Sequence, residues 1–165
     1  MRRLFFAVFL VLACATVAAA DSIEKAGHAY GRGDYVQAER LYRSLAEQGD
    51  PKAQYFLGVM YANGQGVPQD YKKAMTWIGK AADQGDAGAQ LGLGLTYYTG
   101  RRGIPRDNIR AHMWFSIAAS ALSGYEGKRA MAHRDEIASQ LTGLQIGKAQ
   151  ERARRCQQSK FKECD

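Results

Sequence analysis

Few side chains in this sequence could do chemistry. They are His28, His112 and His133, the cysteines Cys156 and Cys164, and the acidic pair Asp135-Glu136. A metal site, a nucleophile with its base, or two opposed carboxylates would need such groups to converge. None of the histidines belongs to a His-Glu-x-x-His helix, and no Gly-x-Ser-x-Gly elbow occurs. His112 lies between Ala111 and Trp114 on a helical pattern, so it reads as a packed or half-exposed histidine rather than a ligand. Asp135 and Glu136 are neighbours on one helix and point in different directions, a poor geometry for acid–base work. Gly64-Gln65-Gly66 and Gly92-Leu93-Gly94 contain Gly-x-Gly, but neither completes a dinucleotide fingerprint or follows a strand. Two cysteines remain past residue 20, an even number that reads as a Cys156–Cys164 disulfide closing a small C-terminal loop. Zinc would need two more ligands nearby. The sequence therefore predicts no catalytic residues, no metal and no cofactor.

The elements that position these residues come from an internal repeat. Gly49-Asp50, Ala53-Gln54, Leu57-Gly58, Tyr61 and Gly64 return 36 residues later as Gly85-Asp86, Ala89-Gln90, Leu93-Gly94, Tyr97 and Gly100. One inserted residue then moves the offset to 37. Past it, Gly66-Val67-Pro68, Asp70, Ala74, Trp77 and Ala81-Ala82 return as Gly103-Ile104-Pro105, Asp107, Ala111, Trp114 and Ala118-Ala119. A degenerate half-unit precedes them, with Asp34-Tyr35, Ala38, Leu41 and Gly49 placed 36 before Asp70-Tyr71, Ala74, Trp77 and Gly85. Each unit reads as helix A, loop, helix B. Helices are predicted at 23–31, 34–48, 51–63, 70–83, 86–99, 107–121, 125–140 and 143–157.

Local chemistry supports that division. Ala53, Leu57, Met60 and Tyr61 form one apolar stripe at helical spacing, and Ala74, Trp77, Ile78 and Ala81 form another. Asp34, Asp70 and Asp107 sit where a carboxylate can accept the free N–H groups of a first turn. That role also accounts for Arg32-Gly33-Asp34, which matches the integrin-binding tripeptide but falls in a helix–helix turn. Gly64 and Gly100 stand where a left-handed residue ends helix A. Small residues at Gly58, Ala74, Gly94 and Ala111 would let helices approach closely, with Trp77 and Trp114 filling the space beside them.

The run Ala53-x3-Leu57-Gly58-x2-Tyr61-x2-Gly64-x-Gly66-Val67-x2-Asp70-x2-Lys73-Ala74-x2-Trp77-x3-Ala81-Ala82-x2-Gly85 resembles the Sel-one-like repeat, a relative of the tetratricopeptide repeat. The sequence departs at Ile78, where the family places an aromatic, and Lys73 becomes Arg110 in the second unit. The resemblance implies an all-α, α/α superhelical solenoid of about four antiparallel helix pairs that mediates protein–protein contacts. The expected division is a half-unit at 30–48, units at 49–84 and 85–121, terminal helices at 122–157 and a tail at 158–165.

Residues 1–20 are set apart. Arg2-Arg3, the apolar run Leu4 to Ala13 and the small residues Ala18-Ala19-Ala20 form the three-part pattern of a signal peptide. Cleavage near Ala20 would leave a helical domain over 21–157 in the periplasm or outside the cell. Membrane attachment is expected only with a lipid on Cys14, whose flanking Val11-Leu12-Ala13 makes a poor lipoprotein box. Arg2 and Arg3 are the only charges in that segment, so the net charge of +7 becomes +5 without it. Residues 21–100 carry net −1 and residues 101–165 net +6. A positive C-terminal half favours anionic partners such as acidic protein surfaces. Export removes the chain from most nucleic acid.

By analogy with tetratricopeptide arrays, the concave wall would be the helix A face carrying Lys52, Tyr55, Val59 and Asn63, then Gly88, Leu91, Leu95 and Tyr98. These side chains suit an extended peptide or a partner helix, while Leu91 and Leu95 read equally as packing against a neighbouring helix. Arg101, Arg102 and Arg106 form a second patch, either for an acidic partner or as a solvated loop. The reading favoured is an exported protein-interaction adaptor. The rival is an envelope enzyme or binder acting on cell-wall or β-lactam-type ligands. Against the rival, the repeats contain no cysteine, whereas the relatives reported to engage such compounds staple each helix pair with a disulfide.

Overall fold

The structure, a computed structural model, describes residues 22–100 and 103–164. Among the described residues the chain forms helices joined by short loops, with no strand. They are α1 (22–31), α2 (Tyr35–Glu47), α3 (Pro51–Asn63), α4 (Tyr71–Ala82), α5 (Ala87–Thr99), α6 (Asn108–Ala121), α7 (Gly124–Ala138) and α8 (Gly143–Gln158). These follow the expected helices closely. The expected starts at 34, 70, 86 and 107 prove to be N-cap residues one position ahead of the helix. The segment read as a signal peptide, Cys14 included, lies outside the described residues, as do Arg101 and Arg102.

Aspartate sets the helix starts. Asp34, Asp70 and Asp107 each accept the backbone N–H three residues on, as their placement in the sequence predicts. Asp50 and Asp86 do the same for α3 and α5, at 2.7 Å from the N–H of Ala53 and Ala89. Gly64 and Gly100 close α3 and α5 with φ of 68° and 59°, a left-handed conformation that costs glycine nothing. Thr142 and Gln145 form a reciprocal capping box at the start of α8.

Helices α3 and α4 pack as one hairpin and α5 and α6 as the next, with α2 on α3 and α4 on α5 joining successive pairs. Within each hairpin a glycine admits the partner's side chain. A Cβ on Gly58 would lie 2.6 Å from Ile78, and one on Gly94 would lie 2.8 Å from the Phe115 ring. Ile78 and Phe115 occupy the same repeat position, so the two residue types solve one packing problem. Buried glutamines tie pair to pair. The Gln54 amide donates to the Ala46 carbonyl at 3.1 Å and the Gln90 amide to the Ala82 carbonyl at 3.3 Å, each reaching the end of the preceding helix.

The core lies along the stack as three groups of buried residues. Ala26, Tyr42, Leu57 and Met60 centre the N-terminal one, Met113, Trp114, Ile117 and Cys156 the middle one, and Phe115, Ala118, Ala130 and Ile137 the third. At the C-terminal end the regular pairing relaxes. Both α7 and α8 pack on α6, but α7 and α8 are not closely apposed to each other.

Candidate functional site

The A helices α3 and α5 and the start of α7 border a groove of about 300 Å³. Tyr55 of α3 lies across α5 against Gly88 and Gly92, where an added Cβ would make ordinary contact with its ring. Built Cβ atoms there would fall 3.4 Å and 3.8 Å from its ring. Leu91, Leu95 and Leu122 continue the lining, and Glu126 and Arg129 of α7 complete it as a 2.9 Å ion pair. Burial pushes the Tyr55 phenol pKa up, helped by the negative charges of Asp86 and Glu126. Tyr55 therefore stays neutral, presenting an apolar ring with a polar tip.

The structure thus brings together Tyr55, Gly88, Leu91 and Leu95 of the expected wall. Leu91 needs a correction as a contact residue. It is 7% exposed and packs in the third core group, so it forms floor rather than open wall. Its place on α5 turns it toward α6 and α7, a distinction that a single-helix stripe does not contain. Lys52 and Asn63 are exposed at opposite ends of α3, and Val59 is half-buried between them. Tyr98 is tied to α7, donating to Glu136 at 2.7 Å with Arg106 5.4 Å over its ring. Arg106 also donates to Asn108 and, at 2.8 Å, to Gln140. It is therefore engaged within the fold and separate from the groove.

The sequence expected Trp77 and Trp114 to fill the space beside the small repeat residues, but over Gly58 and Gly94 that space is taken by Ile78 and Phe115, the next residue along each helix. Leu57 and Ala111 are fully buried, with Ala74 at 2%, Trp114 at 3% and Tyr61 at 6% exposure. Trp77 is half-buried, with the Lys80 ammonium 4.4 Å above its ring. Lys73 lies 5.5 Å over the Tyr61 ring and Arg110 5.3 Å over Tyr97, so exchanging lysine for arginine keeps a cation on the repeat tyrosine. Gly66 takes a left-handed φ of 73° in the loop between α3 and α4.

Two features escaped the sequence. The first is a cleft of about 510 Å³ among α6, α7 and α8, with His112, Ser116, Arg134, Asp135 and Arg154 in its lining. His112 is 3% exposed, and burial, then Arg134, lowers its pKa. Serine, histidine and aspartate in one cleft invite comparison with a hydrolytic triad, but the Ser116 hydroxyl and His112 Nδ1 are joined only by a long 3.4 Å contact, and the shorter bonds run elsewhere. Ser116 donates to the His112 carbonyl at 2.8 Å, an ordinary helical back-bond, and Asp135 pairs with Arg134 at 2.7 Å. The second is a seat over Gly85 filled by Phe161, held by the Cys156–Cys164 disulfide. The cysteine pair was legible from its count. The seat was not, because nothing in the sequence says where the tail folds back. A disulfide of this kind suits an oxidising compartment. Among the described residues no helix is long and apolar enough to cross a membrane.

Comparison with known proteins agrees with this architecture. The Sel1 repeat family model matches residues 20–50, 51–86 and 87–121, its first repeat taking in α1 ahead of the half-unit read at 30–48. No curated protein matches the chain. A solved protective antigen of uropathogenic Escherichia coli strains, displaying an SLR fold, superposes with a TM-score of 0.74 at 27% identity. The match covers 88% of this chain and 30% of the antigen. A Sel1 repeat protein from Oxalobacter formigenes matches with a TM-score of 0.52 at 39% identity, over 59% of this chain and 28% of that one. This chain thus spans under a third of either protein. Repeats of this kind generally mediate protein–protein interaction, and proteins with the fold are generally non-enzymatic scaffolds. With matched repeats through most of α1 to α6 and an all-helical stack built on their glycines and aspartate caps, the chain belongs to the Sel1 repeat family.

Proposed function

We propose that this chain is an exported adaptor that holds a segment of a partner protein in the groove between α3, α5 and α7. The observation that carries the reading is the Tyr55 ring laid on Gly88 and Gly92 beside Leu95 and Leu122, with a charged pair at the edge. An aromatic anchor next to aliphatic surface and a polar rim is the composition of a protein-binding hot spot. A helix or extended segment could lie along it, its apolar side on Tyr55 and Leu95 and a polar group at Glu126 or Arg129. Lys52, Val59 and Asn63 extend the surface along α3, and Tyr98 and Arg106 lie further along, engaged with α7 and its following turn. Arg101 and Arg102 are assigned to an acidic part of the partner on charge alone.

Export is supported by the Arg2-Arg3, Leu4–Ala13 and Ala18–Ala20 pattern and by the disulfide. N-terminal sequencing of protein recovered from the periplasm or medium is expected to begin at Asp21. Retention of Met1 on cytoplasmic protein would refute that part. For the groove, co-purification from native envelopes is expected to recover a partner that Tyr55→Ala with Leu95→Arg releases while helical content is unchanged. A partner retained by that double variant would show that binding lies elsewhere.

A further inference from the structure

The Gly85 seat shows what a groove between successive units of this chain can hold. Its walls are the end of α4 (Ala81, Ala82) and α6 (Trp114, Ile117), and Phe161 packs with them. The Phe161 ring comes within 3.0 Å of where a Gly85 Cβ would stand. Lys160 and Phe161 have φ of 54° and 64°, left-handed values that non-glycine residues adopt only at a cost. The disulfide and the seated ring hold them there. Nearby, Gln157 donates to the Ser120 hydroxyl at 2.9 Å.

The repeat supplies the same groove one unit earlier. Ala46, Gly49, Gln54 and Trp77 correspond to Ala82, Gly85, Gln90 and Trp114, and together with Glu47, Lys80, Asp83 and Gln84 they border a space of about 510 Å³. A Cβ on Gly49 would meet nothing within 4 Å. What Phe161 fills at Gly85 is open at Gly49. The two grooves differ at Lys80, which replaces Ile117 and rests on Trp77 through a flexible, exposed side chain, and at Gln84, which replaces Ala121 and donates to Gln54 at 2.7 Å. Exposed acids, Glu47 and Asp83, stand at the rim. In the cis example the seated phenylalanine is flanked by Lys160 and Lys162.

We propose that the groove beside Gly49 is the open counterpart of the Phe161 seat and receives an aromatic side chain from a lysine-flanked segment of a partner protein. Glycine admits the ring, Trp77 packs beside it, and Glu47 with Asp83 meets the flanking cations. The site lies between the helix B ends and is separate from the Tyr55 groove, so either can fail alone.

The probe is the chain's own tail loop, residues 156–164, made as a disulfide-closed labelled peptide and titrated with the full chain. Saturable binding at one site per chain is expected. Gly49→Asn puts a side chain into the seat with the residue type that best tolerates positive φ, and should weaken binding about tenfold or more. Phe161→Ala in the peptide should do the same, and Glu47→Arg on the exposed rim should weaken binding and reduce its salt dependence. No binding at peptide concentrations up to about 1 mM would overturn the proposal. So would binding indifferent to both Gly49→Asn and Glu47→Arg. Self-association of the chain abolished by Gly49→Asn would also overturn it, by giving the groove to a second copy.

Discussion

At the scale of single residues, the glycines of this chain divide by what surrounds them. A Cβ on Gly58 would lie 2.6 Å from the Ile78 side chain and 3.0 Å from the Ala74 carbonyl oxygen, so α3 and α4 would have to separate. Gly58→Ala is expected to cost about 2 kcal/mol, read as a shift in denaturation midpoint. Gly79 lies inside α4 with nothing within 4 Å of a built Cβ. Gly79→Ala should therefore raise stability by about 0.5–1 kcal/mol, because only the glycine's backbone entropy changes. His112 gives a pH dependence. Its pKa is held below the ordinary value of 6.5 by burial first and Arg134 second, so the folded chain resists protonation. As pH falls through 6.5 the unfolded chain takes up a proton that the folded chain does not, and stability drops until the lowered folded pKa is passed. The slope from this group is at most about 1.4 kcal/mol per pH unit. Denaturation at about pH 7.5 and 5.5 should show a smaller difference for His112→Asn than for the parent.

Individual elements depend on their ends. Asp86 is half-buried and caps α5 through the 2.7 Å bond from the Ala89 N–H. Asp86→Ala should cost about 1 kcal/mol and loosen the start of the helix that carries Gly88 and Gly92. Amide exchange of Gly88 and Ala89 is the measurement that localises the loss. The C-terminal clip acts on the end of α8. The cysteines are eight residues apart, and closing a loop of that size removes unfolded-state freedom equivalent to about 2.5 kcal/mol. Cys164→Ser should lower stability by an amount of that order without changing helical content. It should also release Phe161 from Gly85, visible as faster proteolysis beyond Gln158.

For the molecule as a whole, stability is shared between neighbouring hairpins, because no helix pair buries its apolar faces alone. The stack is regular from α2 to α6 and then changes, with α8 and the tail covering the groove between α4 and α6. One consequence is a difference in stoichiometry between the two equivalent grooves. Phe161→Ala in the full chain should open the Gly85 seat, so that the tail-loop peptide binds at two sites per chain instead of one. Isothermal titration reads that number directly. A count that stays at one would mean the tail covers the seat without its phenylalanine.

The sequence by itself determined the helices, their caps and their stacking order. Those depend on near-neighbour chemistry repeated at 36 and 37 residues: aspartate ahead of each helix B, glycine after each helix A, and apolar stripes at helical spacing. Helical spacing fixed which residues share a face within each helix, and the analogy with tetratricopeptide arrays put the faces carrying Tyr55 and Leu95 on one wall. Only the tertiary structure decided that Leu91 faces inward and that His112 is buried in a cleft beside Arg134. The same holds for Phe161, which returns nearly 80 residues along the chain to cover Gly85. Those outcomes are set by contacts between segments far apart in the chain, where the terminal helices leave the repeat and no period remains to be read.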